Sequence, residues 1–152
     1  MRHFDLIILV NRPQADVYNY LSDPHNLPSL QPLLTSVKVQ DRTQTEEGAV
    51  VIPFHLFAII RFLGIPVFRR RVQVISTLTR PPEEMQRDVQ VKPGIFVHSL
   101  YELRREDGAT QIKLRVNIVK VSQWLENIVY EQALQMQRAL LINLKNRLEG
   151  AA

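Results

Sequence analysis

Two hydroxyl side chains stand in a row of otherwise apolar residues in the third quarter of the chain. Tyr101 and Ser99 alternate with outward positions on a segment typical of a β-strand, so they share a face with Val97 and Leu103. Two hydroxyls in an apolar wall can orient the polar end of a ligand. The alternative is that the Tyr101 ring packs in the core and its hydroxyl bonds a nearby carbonyl.

Two amides interrupt the apolar stripe of a long C-terminal segment with helical periodicity. Gln132 and Asn143 lie at helical spacing among residues such as Met136. An amide in such a stripe needs a bonding partner, which predicts contact with a ligand or with water. Alternatively, the stripe drifts around the helix and one of the two amides is exposed.

One arginine has a spacing suited to an anionic ligand group. Arg70 shares strand parity with Val72 and Val74, so we expect it at the mouth of a cavity; an exposed strand end is the alternative.

His55 and His98 cannot be placed in a common site, and no metal-ligand spacing occurs, so no metal site is predicted.

The sequence lacks the motifs of several enzyme classes. It has no cysteine, no serine in a nucleophile elbow and no glycine-rich phosphate or dinucleotide loop. Hydrolase, kinase and dehydrogenase functions therefore lose support, and no cofactor is predicted. Acid and base chemistry by a cavity residue needs no motif, so it stays open.

Length and charge set further bounds. The 152 residues fit one domain, and the absence of cysteine is compatible with a reducing compartment. The apolar run Leu6 to Val10 is too short for a secretory signal or a membrane span, which predicts a cytoplasmic protein. The net charge of +4 comes mostly from scattered residues, and the run at 69–71 alternates between strand faces, so no nucleic-acid partner is expected.

The elements that must position these residues follow from hydrophobic periodicity. A first strand over 3–10 precedes a short helix from Pro13 to Ser22 with Val17, Tyr20 and Leu21 on one face. A proline-rich loop with one or two helical turns comes next. The predicted strands after it cover 35–40, the two arms of 50–80 around a turn at 63–66, 84–91, 95–104 and 110–121.

The last element is a helix of about 40 Å from Ser122, its predicted cap, to Glu149 before Gly150. Its apolar stripe needs a large apolar surface to cover it. The members of the stripe are Leu125, Ile128, Val129, Met136, Leu140, Leu144 and Leu148.

The segment Val50 to Phe68 is apolar on both strand parities. Ile52, Phe54, Leu56 and Ile60 share one parity, and Val51, Phe57 and Ile59 share the other. Three explanations compete: a dimer interface, a membrane-touching hairpin, or a face covered by the protein's own loops. We predict a homodimer, because strands apolar on both faces usually have protein on both sides.

The order of these elements resembles the START-like or SRPBCC superfamily. The segment VYNYLSDPHNLPSLQP, at 17–32, is similar to that family's first-helix segment, although Leu30 stands where a tryptophan is often found. The pattern of Tyr101 and Leu103, followed by Asp107-Gly108-Ala109-Thr110 and Ile112, is similar to its strand-turn-strand pattern.

The resemblance implies an α+β helix-grip fold formed by residues 1–152 as one ligand-binding domain. A curved antiparallel sheet of about seven strands would wrap around the long C-terminal helix, with two short helices after the first strand. The implied function is binding or transfer of an apolar small molecule, such as a lipid, a quinone or a polyketide, in a cavity between sheet and helix. The alternative is a polyketide cyclase or dehydratase-like enzyme using Tyr101, Arg70 and Gln132.

Overall fold

The computed structural model describes residues 2–31, 34–62, 65–91 and 94–150, with the side chains of all of these except 60–62 and 65–69. The predicted turn at 63–66 and the connection between the predicted strands 84–91 and 95–104 therefore lie partly outside the described residues. The strands that they were expected to join are present on both sides of each turn.

An antiparallel sheet forms the body of the molecule. Its order is β1-β8-β7-β6-β5-β4-β2, and β3 pairs with β4. The strands are β1 (Arg2–Val10), β2 (Leu34–Val39), β3 (Thr43–Gln44), β4 (Val50–Phe62), β5 (Ile65–Arg80), β6 (Glu84–Val91), β7 (Ile95–Glu106) and β8 (Ala109–Lys120). The predicted curved sheet is confirmed, with the two-residue β3 as the additional strand.

Two short helices follow β1, and one long helix ends the described chain. They are α1 (Gln14–Ser22), α2 (Leu27–Leu30) and α3 (Glu126–Gly150). Single 3-10 turns precede α2 and α3, at Pro24–Asn26 and Gln123–Leu125. This is the predicted helix-grip arrangement, in which the long helix lies on the concave face of the sheet. None of the described helices is long and apolar enough to cross a membrane.

Alternating side chains set the buried face of the sheet. In β8, Ile112, Leu114, Val116 and Ile118 are buried, as the sequence pattern predicts. The β7–β8 turn holds Asp107 at φ 47° and Gly108 at φ 83°. Two consecutive positive φ angles suit the tight turns that match strand twist, which explains the Asp-Gly pair.

Helix α3 has two parts with different surroundings. Its buried residues are Leu140, Leu141, Leu144 and Leu148, all in the C-terminal part, where the predicted stripe packs on the core. Of the earlier stripe residues, Leu125, Val129 and Met136 are only partly buried, and Ile128 is exposed. The prediction that Ser122 caps the helix is wrong, because its side chain makes no cap bond. Its carbonyl instead accepts a hydrogen bond from the Leu125 amide at 2.9 Å, which forms the 3-10 turn.

The buried face of α1 also differs from the prediction. Tyr18, rather than Tyr20, is buried beside Val17 and Leu21. The Tyr18 hydroxyl donates to the Glu84 carbonyl at 2.7 Å, so the ring can be buried with its polar atom satisfied. Adjacent positions 17 and 18 both face the sheet because the apolar stripe of a short helix is more than one residue wide.

The apolar hairpin has one core face and one half-buried face. Ile52, Phe54 and Leu56 are buried in β4, whereas Val51 and Phe57 on the opposite face are partly covered. The side chains of residues 60–68 lie outside the described part of the structure. The backbone pairing of β4 with β5 continues through Phe62 and Ile65. The homodimer therefore stays a prediction.

Candidate ligand cavity

A cavity of about 580 Å³ lies between the concave face of the sheet and the N-terminal part of α3. This volume is within the range of roughly 300–1,000 Å³ that is usual for small-molecule sites. Strands β4 to β7 form its floor, and α2 closes one side. Aliphatic side chains supply most of the lining: Leu27, Leu34, Leu56, Ala58, Val72, Val74, Val89, Val91, Ile95, Val97, Leu125, Ile128, Val129, Ala133, Met136 and Leu140.

The cavity has a buried end and an exposed mouth. Tyr101, at 1% exposure, and Leu140 mark the buried end. At the mouth, Trp124 is 79% exposed and Ile128 is 37% exposed. Arg70, which is also exposed, lines this mouth from β5. A ligand can therefore enter beside the start of α3 and extend towards the buried end.

Two side-chain amides hold α2 against α3 beside the cavity. The Gln31 amide donates to the Met136 carbonyl at 3.2 Å, and the Asn143 amide donates to the Leu30 carbonyl at 2.8 Å. Asn143, which was predicted to contact a ligand or water, does not belong to the described cavity lining. The bonding partner that its place in the stripe required is a backbone carbonyl of α2.

A buried arginine lies at the closed end. Arg87 is 4% exposed and lines the cavity from β6. Its Nε donates to the Ser76 hydroxyl at 3.1 Å, and its Nη2 donates to the Leu21 carbonyl. Ser76 and Arg87 are opposite each other on β5 and β6, and Arg87 is in turn opposite Ser99 on β7. These three residues form one row across the sheet.

Two polar atoms of this row are buried, and neither has a hydrogen-bond partner among the described residues. Neither Nη1 of Arg87 nor the hydroxyl of Ser99 forms a hydrogen bond within the described part of the chain. Buried polar groups are almost always bonded, so each such atom needs an explanation. Both residues line the cavity.

Tyr101 adds a ring and a hydroxyl to the same end. The Arg87 guanidinium carbon lies 5.5 Å from the centre of the Tyr101 ring, within cation–π range. The Tyr101 hydroxyl donates to Oε1 of Gln137 at 3.1 Å. Burial raises the pKa of Tyr101, and the nearby Arg87 charge, its N–H groups and the Gln137 bond only partly oppose this. Tyr101 is therefore a neutral donor at neutral pH.

Five of the six residues predicted from sequence line this one cavity. They are Tyr101, Ser99, Arg70, Gln132 and Met136, spread between its closed end and its mouth. Gln132 is partly exposed. Whether these residues bind a ligand stays a prediction. Along α3 the apolar stripe thus changes from cavity lining in the N-terminal part to core packing in the C-terminal part.

Four further polar or aromatic lining residues were not predicted: Arg87, Gln31, Gln137 and Trp124. A signal for Arg87 existed, because it shares strand parity with the buried Met85 and with Val89. Whether Gln31, Gln137 and Trp124 line the cavity depends on where α2 and α3 pack against the sheet, and local periodicity does not predict that packing.

The histidines lie away from the cavity. His98 pairs with Asp88 at 2.6 Å on the neighbouring strand, and His55 contacts Arg71 at 3.4 Å. The structure does not bring the two histidines into the cavity lining. Among the residues described, no group of three or more His, Cys, Asp or Glu could hold a metal ion.

Comparisons with known proteins support the fold. No protein-family profile and no curated protein matches the sequence. The protein TTHA0849 from Thermus thermophilus is similar in structure, with a TM-score of 0.76, 14% identity and 99% of each chain covered.

Two further solved structures share the architecture over almost their whole length. A START superfamily protein from Mycobacterium smegmatis has a TM-score of 0.73, 13% identity and 99% coverage of each chain. The Zhui aromatase/cyclase from Streptomyces sp. R1128 has a TM-score of 0.74 and 14% identity, and 99% of this chain and 98% of that chain are covered. Structural similarity at such low sequence identity supports a shared fold and does not identify a ligand.

Proposed function

Because the chain has the START-like helix-grip fold, we propose that it binds or transfers an apolar small molecule, such as a lipid, a quinone or a polyketide. The observation that carries this proposal is the cavity of about 580 Å³ with its mainly aliphatic lining. Apolar cavities of this size are rare in close-packed protein interiors, since the atoms that line empty space lose dispersion contacts. An apolar ligand would restore those contacts and remove the exposed aliphatic surface from water.

The mouth supports exchange of the ligand with its surroundings. Trp124 is 79% exposed beside an opening also lined by Ile128 and Arg70. An aromatic ring with a polar N–H suits a place where an apolar path meets water. A protein that transfers its ligand needs such an opening, whereas a protein that encloses its ligand permanently does not.

The described lining favours binding over catalysis. It contains no aspartate, glutamate or histidine that could accept a proton near neutral pH. Tyr101, whose pKa is raised by burial, would donate rather than accept a proton. A cyclase or dehydratase-like enzyme is the second candidate, supported by the Arg87, Ser99 and Tyr101 group and by the structural similarity to an aromatase/cyclase.

Binding can be measured through the single tryptophan, which lies at the mouth. We expect titration with tetradecanoic acid or its methyl ester to shift the Trp124 emission to shorter wavelength, because a ligand chain near the ring excludes water. Isothermal titration calorimetry gives the affinity independently. Native mass spectrometry of the purified protein would also show a retained apolar molecule.

Two variants of α3 separate cavity binding from surface adsorption. Ala133 lines the cavity, so Ala133→Phe fills part of it and should weaken both probes about tenfold or more. Gln135 is exposed, so Gln135→Phe adds the same ring outside the cavity and should leave both affinities unchanged. No retained molecule and no binding of either probe would contradict the proposal, as would equal effects of the two variants.

The enzyme alternative has its own test. If a polyketide substrate is turned over, Tyr101→Phe should abolish most of the activity, because it removes the donor hydroxyl and keeps the ring. Unchanged turnover in this variant would rule out the role of Tyr101 as acid.

Two further parts of the proposal concern partners and location. The half-buried outer face of β4 supports self-association, and sedimentation of the purified chain would test a homodimer. Transient membrane contact of the same hairpin and a cytoplasmic location also remain proposals.

A further inference from the structure

The closed end of the cavity holds the positive charge of Arg87, and no opposite charge lies beside it among the described residues. The ion pairs of the described residues do not include Arg87. No carboxylate belongs to the described cavity lining either. Since Arg87 is 4% exposed, its charge relies on a serine hydroxyl, a carbonyl and the face of Tyr101. Buried charges are normally paired, because removal from water is costly.

The unpartnered atoms next to this charge match a particular acceptor. Nη1 of Arg87 carries two N–H groups, and Ser99 carries one O–H. The two residues are opposite each other on β6 and β7, where Cα atoms of paired residues are about 5 Å apart. A group with two acceptor oxygens offers one acceptor to each of these side chains.

We infer that the cavity takes an amphipathic monocarboxylate, with its carboxylate on Arg87 Nη1 and Ser99 Oγ and its apolar part directed towards Trp124. This inference rests on the proposed function. One carboxylate balances the one guanidinium charge, whereas a dianionic phosphate would leave an unbalanced negative charge in an aliphatic cavity. The aliphatic walls between the closed end and the mouth accommodate the rest of the molecule.

Two pairs of probes test the head group and separate two kinds of apolar body. The first pair is tetradecanoic acid and its methyl ester, and the second is pyrenebutanoic acid and its methyl ester. Each ester keeps the apolar body and removes the negative charge. We expect the acid to bind about tenfold or more tightly than its ester in at least one pair, because hydrogen bonds to charged groups exceed neutral ones in strength. The pair with the larger preference identifies a chain-like or a fused-ring body.

Ser99→Ala is the decisive variant, because Arg87→Met also removes the donors to Ser76 and Leu21 and can disturb folding. Ser99 makes no hydrogen bond among the described residues, so its hydroxyl can be removed without breaking one. We expect the preference for acid over ester to fall about fivefold in Ser99→Ala. Val97 lines the cavity on the same strand, so Val97→Ala is a matched control that should weaken acid and ester equally and keep the preference.

The possible outcomes distinguish this inference from the proposed function. Acid and ester that bind equally well in both pairs would overturn the carboxylate site and leave apolar binding intact. An acid preference that persists unchanged in Ser99→Ala would overturn the assigned position. Failure of all four probes to bind would overturn the carboxylate site, and, if the purified protein also retains no apolar molecule, it would overturn the proposed function as well.

Discussion

The two parts of α3 should differ in how much stability they lose when a side chain is shortened. Leu144 is 0% exposed in the C-terminal part, so Leu144→Ala should lower the free energy of unfolding by about 2–5 kcal/mol. Taking about 3 kcal/mol, Tm falls by roughly 6–12 °C for a chain of this size. Ile128 is 37% exposed and borders the cavity, so some of the side-chain atoms that Ile128→Ala removes have no protein neighbours. Ile128→Ala should cost less than about 1 kcal/mol, and the better helix propensity of alanine offsets part of that cost.

Urea denaturation followed by circular dichroism measures both values, provided that the m-value is unchanged. Titration of the folded variants with tetradecanoic acid provides a second readout. Ile128→Ala should weaken binding, and Leu144→Ala should leave the affinity of the folded fraction unchanged. Equal stability losses in the two variants would refute the division of α3 into a core part and a cavity part.

Two other predictions concern hydrogen bonds of Tyr18 and Asn143, which lie outside the described cavity lining. Burial and the nearby Glu84 charge raise the pKa of Tyr18 from 10.0 to about 12, with Arg87 opposing them. The folded-state pKa exceeds the unfolded one, so the contribution of Tyr18 is fully present below pH 10 and is lost as the pH rises through 12, by about 2 kcal/mol. Urea denaturation of Tyr18→Phe should show a smaller loss between these pH values, and an unchanged pH profile would contradict the assignment. Separately, Asn143→Ala removes the bond to the Leu30 carbonyl and should cost about 1 kcal/mol in thermal or urea unfolding. It should leave probe affinity unchanged, and a selective loss of affinity would return Asn143 to the candidate site.

Much of the site was predictable from strand parity. Alternation along β7 placed Ser99 and Tyr101 on the inward face, and the same rule placed Arg70 with Val72. Applied to β6, parity would also have indicated Arg87, since its neighbours Met85 and Val89 are apolar. The obstacle was the residue type, because a charged side chain on a strand is usually assigned to the solvent face.

Helical spacing predicted less than strand parity did. Gln132 and Asn143 both fall within the apolar stripe of α3, yet Gln132 lines the cavity and Asn143 bonds the Leu30 carbonyl of α2. The two positions cannot be separated by periodicity, because the difference lies in what faces each turn of the helix. Likewise, Tyr18 and Tyr20 could each have been the buried residue of α1 until the Glu84 carbonyl provided a partner.

The sequence by itself determined the strands, the long closing helix and the inward face of most strands, because hydrophobic periodicity is a local property that burial preserves. Only the tertiary structure decided where the sheet and α3 separate to leave a cavity, and which polar groups meet at its closed end. Ser76, Arg87 and Ser99 come from three different strands, and their alignment depends on strand register. Register follows from the pairing of whole strands and the turns between them, so no local pattern states it.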